Sequence, residues 1–142
     1  MTDRTDESNL GPGMNLDGTL LQTMGIVVSE ATVDRVVATM PVKGNTQPYG
    51  LLHGGASCVL AESLGSIGSA LHAATYGKVA VGVDINATHH RAVRDGVVTG
   101  VATPVYLGRT TTSYEVVITD ERDKRVCTAR ITCQLIPAPP GS

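Results

Sequence analysis

Between Lys43 and Lys78 lie 34 residues that carry one formally charged side chain, Glu62. The stretch QPYGLLHGGASCVLAESLGSIGSALHAAT runs through this interval. A helix on the surface of a small protein spreads Asp, Glu, Lys and Arg over its wet side. A long helical run with a single carboxylate is therefore expected to be mostly covered, and a charge in such a place is paired or used. On this reading Glu62 is the candidate for chemistry.

At 142 residues the chain is long enough for one domain with a real core. The net charge is −2, without a basic patch or an acidic tail, which gives no support for nucleic-acid binding or electrostatic membrane docking. Trp and Phe are absent, so stacking platforms for bases are missing and the core must be built from Val, Ile, Leu, Met, Ala and Tyr. Residues 1–14 are polar and acidic, lack the basic-then-apolar order of a secretory signal, and read as a disordered lead-in. Cys58, Cys127 and Cys133 are an odd set without close pairs. They are expected to be buried thiols in a protein of the reducing cytoplasm, with Cys127 and Cys133 on one strand face. The uncharged run is long enough to cross a membrane, but Glu62, His72 and four serines argue against a spanning helix.

Asn15 to Met24 reads as a short helix with Leu16, Leu20 and Leu21 as its apolar side. IVVSE and RVVATMPV read as strands around a turn at Ala31–Asp34, and GNTQPYG as a loop. A helix is predicted from about His53 to Tyr76, capped by Gly77. Four runs follow: VAVGVDINATH, VVTGVATPVYL, RTTTSYEVVIT and RVCTARITCQLI, with turns at Asp95-Gly96 and DERDK. Each has period-two patterning and many β-branched residues. The first is expected to alternate Val79, Val81, Val83 and Ile85 against Gly82, Asp84 and Asn86. The order predicts an α+β domain over residues 15–136, a six-stranded, mostly antiparallel sheet with one long helix against it, and a loose tail at 137–142.

At 100° per residue, Leu60, Leu64, Ile67 and Leu71 form a stripe expected to lie on the sheet. The opposite side holds Gly55, Glu62, Ser66, Ser69 and Ala73, small residues suited to close approach by a second copy of the chain. His53-Gly54-Gly55 opens the helix, where backbone N–H groups lack internal partners and carry the positive dipole end. Glycines there let a ligand oxygen reach the amides, as stabilisation of an oxyanion requires. Glu62 lies eight residues beyond Gly54, roughly 12 Å along the axis. A carbonyl held at the helix start is out of reach of Glu62 in the same helix, so a shared substrate implies two subunits with antiparallel helices.

These residues together resemble the hotdog-fold acyl-CoA thioesterases. The likeness is greatest to the Arthrobacter-type 4-hydroxybenzoyl-CoA thioesterases and their aryl- and acyl-CoA relatives, including the 1,4-dihydroxy-2-naphthoyl-CoA enzymes. It spans Leu16 to Leu135 and is densest in QPYGLLHGGASCVLAESLGS, VGVDINATHHRAVRDG and PVYLGRTT. The resemblance implies the hotdog fold, its sheet wrapped around one long central helix. In that branch a Gln, then a Gly seven residues later, act with a Glu eight further on and a Ser or Thr four beyond, the last two from the other subunit. Those spacings fall on Gln47, Gly54, Glu62 and Ser66, with His53 as the family histidine. Tyr49 stands where relatives often carry Phe.

The implied roles are polarisation of the thioester carbonyl by the Gly54 N–H, with Gly55 beside it and Gln47 near the thioester. Glu62 is nucleophile or general base, Ser66 orients it or its water, and His53 orients the thioester or aids release. His89 is a candidate for the acyl pocket; Arg91, Arg94 and Arg109 are candidates for the CoA phosphates. No His, Cys, Asp and Glu set has metal-ligand spacing, and no metal or cofactor is expected. The expected partners are an acyl-CoA substrate, with an aromatic or medium-chain acyl group, and further copies of the chain, a dimer as minimal active unit doubled to a tetramer. A non-catalytic acyl-CoA-binding module would lack the carboxylate, and a hydroxyacyl dehydratase would need a His opposed to a carboxylate in another motif.

Overall fold

Runs of alternating Val, Ile and Thr become strands, and the uncharged run becomes the helix between them. The computed structural model describes residues 15–140; the expected lead-in at 1–14 lies outside them. A short helix α1 (Leu20–Thr23) precedes β1 (Val27–Ala31), β2 (Val36–Pro41) and the long helix α2 (Gly54–Ala74). Strands β3 (Lys78–His89), β4 (Val97–Leu107), β5 (Thr111–Thr119) and β6 (Arg125–Pro137) follow. They form one six-stranded sheet in the order β1-β2-β4-β5-β6-β3. Every pairing is antiparallel. Helix α2 packs on β2, β3, β4, β5 and β6, so the sheet wraps around it. This is the expected α+β architecture.

Three local expectations need correction. The first helix is only four residues long, because the chain is still turning at Gly18, whose φ is 75°. Leu16 and Leu21 pack on the core, whereas Leu20 is 54% exposed. In β3 the register shifts between Gly82 and Asp84. A bulge of this kind reverses the side-chain alternation. Ala80 before it and Ile85 and Ala87 after it therefore face the core, and Val81 and Val83 point outward. Finally, β6 runs one residue into the expected tail, with Pro137 opposite Lys78.

The face that α2 turns to the sheet also differs in part from expectation. Leu60 and Leu64 are fully buried, and each contributes about 1.5–3 kcal/mol by leaving water. Leu71 is only half-buried, while Ser69 and Ala73, expected on the open side, are buried. Ser69 Oγ shares a 2.7 Å hydrogen bond with Thr112 Oγ1 on β5. Leu60, Leu64 and Ile67 are buried as expected, and small residues beside them, Gly65, Gly68 and Ser69, meet the sheet as well. A Cβ on Gly65 would stand 2.8 Å from Ile131 Cβ, and one on Gly68 would stand 2.6 Å from the Tyr114 ring. Small size on this side serves the chain's own sheet. Cys127 and Cys133 are both buried on one face of β6, as expected. Burial raises the Cys127 thiol to about 11.

Gly68→Ala tests this seam. Alanine normally favours a helix over glycine by about 1 kcal/mol. Here the methyl meets Tyr114, which is fully buried and donates its hydroxyl hydrogen to the Val33 carbonyl. Overpacking of about 1–3 kcal/mol should win. The expected outcome in a thermal melt is a Tm several degrees below wild type; an increase would show that the seam has slack.

Candidate active site at the start of helix α2

Helix α2 begins without an acidic residue in its first turn. His53 caps it instead, its Nδ1 accepting the Gly55 N–H at 2.8 Å. With Nδ1 accepting, the ring N–H is at Nε2. The Ala56 and Ser57 amides turn to the His53 carbonyl. Gly55 is thus already engaged, contrary to the expectation that both glycines present open amides. The Gly54 N–H has no partner among the described residues. It is the open donor at the positive end of a 21-residue helix.

Gln47 supplies a second donor. Its backbone N–H donates to Leu51 O at 2.8 Å, closing the 47–51 loop. Its side-chain Oε1 accepts the amides of Tyr49 at 2.6 Å and Leu51 at 3.3 Å. With the oxygen committed to the loop, the Gln47 NH2 remains free to donate outward. Gln47 and Gly54 line one cleft of about 380 Å³, together with Ser57, His89, His90 and Arg91. His89, the last residue of β3, lies so close that a Cβ on Gly54 would be 2.9 Å from its Nε2. Only glycine leaves both the ring and a ligand room here. His90 is turned away to Thr128 Oγ1 at 2.9 Å.

Glu62 is absent from this cleft. It projects from the open side of α2 beside Gly82 of the edge strand β3, and it is exposed rather than covered within the chain. It lines a separate, mostly apolar groove with Leu20, Leu21, Cys58, Val59, Ser63 and Ile85. Ser66 lies half-buried one turn further along the helix. The arginines also separate. Arg91 and Arg94 belong to the β3–β4 connection near the Gly54 end. Arg109 sits in the β4–β5 turn at the other end, where His72 Nε2 bonds the Gly108 carbonyl at 2.7 Å. Gly54 and His72 are roughly 27 Å apart along the helix.

Two free N–H donors converging on one cleft, at a helix start, can hold a carbonyl oxygen and the negative charge it gains when attacked. None of the described residues that line the cleft is a carboxylate. Among the described residues, no group of three or more His, Cys, Asp and Glu could hold a metal ion. No helix among them is long and apolar enough to cross a membrane. Sequence reasoning missed Asp120, whose carboxylate organises the charged turn beside this cleft. Its Oδ1 accepts the Arg122 and Lys124 amides, each at 2.9 Å. Asp before an N–H two residues on is the pattern of an Asx turn and was there to be read.

His53→Ala removes the ring that caps Gly55. Loss of an N-cap typically costs about 1 kcal/mol. A lower urea midpoint with an unchanged slope is expected, and an unchanged midpoint would show that the cap carries nothing.

Comparison with known proteins identifies the family. Residues 49–127 match the thioesterase superfamily model. The proofreading thioesterase EntH of Cronobacter sakazakii is 47% identical over 84% of this chain and 87% of its own. The crystal structure of the thioesterase HI1161 of Haemophilus influenzae superposes with a TM-score of 0.80 at 41% identity, covering 86% of this chain and 85% of that one. A thioesterase protein of Streptococcus pneumoniae crystallised with coenzyme A shares the fold, with a TM-score of 0.70 at 24% identity over 79% of this chain and 86% of the other. The chain belongs to the hotdog-fold thioesterase superfamily and is a thioester hydrolase.

Proposed function

We propose that this chain hydrolyses acyl-CoA thioesters in a cleft that two copies complete. The observation that carries the reading is the pair of open donors, the Gly54 N–H and the Gln47 NH2, in a cleft whose described lining includes no carboxylate. The thioester carbonyl lies between these donors. Glu62 stands roughly 12 Å along the same helix and so serves the cleft of a partner, through antiparallel α2 helices. The helix face bearing Glu62 is open, and the neighbouring β3 is an edge strand with Val81 and Val83 exposed. A long apolar edge of this kind invites pairing with another chain. The acyl group, aromatic or of medium chain length, lies in the apolar groove beside Glu62, formed in part by Leu21, Val59 and Ile85.

Glu62 either attacks the carbonyl carbon or takes a proton from the water that does. In both routes the carbonyl oxygen becomes an oxyanion on the Gly54 and Gln47 donors, and the thioester C–S bond then breaks, the sulfur taking up a proton to leave as the thiol of CoA. When water attacks, the free acid forms at that step; when Glu62 attacks, the acyl group is left as an anhydride on Glu62, which water cleaves to give the free acid and restore the carboxylate. Ser66, one turn from Glu62, positions the carboxylate or its water. His53 acts as the cap that holds Gly54 open, and His89 walls the cleft. The phosphates of CoA stay at the rim, on Arg91 and Arg94, with Arg109 contributed from the partner's far helix end. The S. pneumoniae fold relative crystallised with coenzyme A is consistent with this substrate class.

Thiol release from a panel of acyl-CoA esters, with Glu62→Gln beside wild type, tests the proposal. The variant should keep the wild-type Tm and lose at least about 100-fold in turnover. Near-normal turnover by folded Glu62→Gln would remove Glu62 from the chemistry.

A further inference from the structure

Beside the Gly54 cleft lies a second one, of about 640 Å³. Its walls are the β3–β4 connection, residues 91–95, and the β5–β6 turn at Asp120, Glu121 and Arg122. Arg91 lines both clefts and forms the boundary between them. On the turn side, Asp120 Oδ1 is filled by the two turn amides, while Oδ2 faces Arg91 Nε at 3.5 Å. The Asp120 side chain is 9% exposed and that of Arg91 45%. A carboxylate fixed by its own turn thus forms an ion pair with the inner nitrogen of a half-exposed arginine. The Lys124 amide first, then the Arg122 amide and the charges of Arg122 and Arg91, hold the Asp120 carboxyl below its ordinary value. It remains charged through mild acid.

The rest of the guanidinium is unused. Neither terminal NH2 group of Arg91 has a partner among the described residues. An arginine whose Nε is held and whose outer fork is free is set for bidentate contact with a phosphate. Glu121 in the same cleft makes no ion pair with Arg91; its Oε1 accepts the Val97 amide at 2.7 Å.

We propose that Asp120 is a positioning residue for substrate recognition: through its ion pair it holds Arg91 between the two clefts, where the free fork takes a phosphate of the arm that carries the thioester. This rests on the reading of the Gly54 cleft as the thioester site. The phosphate is chemically the same whether it belongs to coenzyme A or to a phosphopantetheine arm.

Asp120→Asn is the probe. The amide oxygen can still accept the two turn N–H groups, while the NH2 turned toward Arg91 abolishes the ion pair. Hydrolysis of one acyl group is compared on CoA, on 4′-phosphopantetheine and on pantetheine, which lacks phosphate. Binding of CoA itself by calorimetry gives a readout that needs no turnover. Asp120→Asn should raise KM for acyl-CoA and weaken CoA binding, each about tenfold, with kcat and Tm unchanged. The acyl-pantetheine ester should be unaffected, and Arg91→Ala should show the same loss with nothing added by the second substitution. An effect retained with phosphopantetheine places the contact at the phosphate that both arms share; one seen only with CoA places it at a nucleotide phosphate. Equal losses on pantetheine and CoA, unchanged CoA binding, or additive losses in the double variant would each overturn the role of Asp120. A wild type that binds CoA with this pattern but hydrolyses none of the esters would overturn the acyl-CoA reading instead.

Discussion

Ile131 and Tyr114 press against α2 at points where only glycine fits, and much of the molecule follows from that contact. A Cβ on Gly65 or Gly68 would fall inside the packing distance of these two side chains. The helix is therefore locked in rotation about its own axis. With Ala61, Gly65 and Gly68 toward the sheet, Gly55 and Glu62 come out on the exposed side. The orientation of the one carboxylate in the helix is thus a packing consequence, decided by β5 and β6 rather than by Glu62 itself.

The same lock sets the ends of the helix. Its start is held by the His53 ring on Gly55, which leaves the Gly54 amide without an internal partner. Its far end is held by His72 on the Gly108 carbonyl, with Lys78 Nζ on the Arg109 carbonyl at 2.7 Å. Donor and carboxylate therefore sit on one rigid rod at a spacing no side chain spans. A reaction that needs both must bring two rods together, which is the physical basis for a shared site.

Much of this was legible in the residues. The uncharged run announced the helix, and period-two runs announced all six strands. The glycines at the helix start pointed to Gly54, the resemblance to the hotdog thioesterases added Gln47, and the fold brings the two into one cleft. What was not legible depends on contacts between distant segments. The expected stripe of Leu60, Leu64 and Ile67 is buried, but the closeness of Tyr114 and Ile131 widens the buried face to take in Gly65, Gly68 and Ser69, while Leu71 is only half-buried. Val81, Val83 and Ile85 share one parity in the sequence, but a bulge after Gly82 separates them, leaving the two valines outward and Ile85 against the core. The commitment of Gly55 to His53 depends on a ring rotamer. Arg91, Arg94 and Arg109 resemble one another as surface arginines, and only the fold sends Arg109 to the opposite end of the helix from the other two.

The division of the site between two copies is most directly tested by mixing two inactive chains, Gln47→Ala and Glu62→Ala, under conditions where subunits exchange. Mixed dimers carry one site with both defects and one with neither. Equal mixing should restore about a quarter of wild-type hydrolysis, since half the dimers are mixed and half their sites are intact. No recovery, with subunit exchange demonstrated by mass or fluorescence, would contradict a site shared between chains.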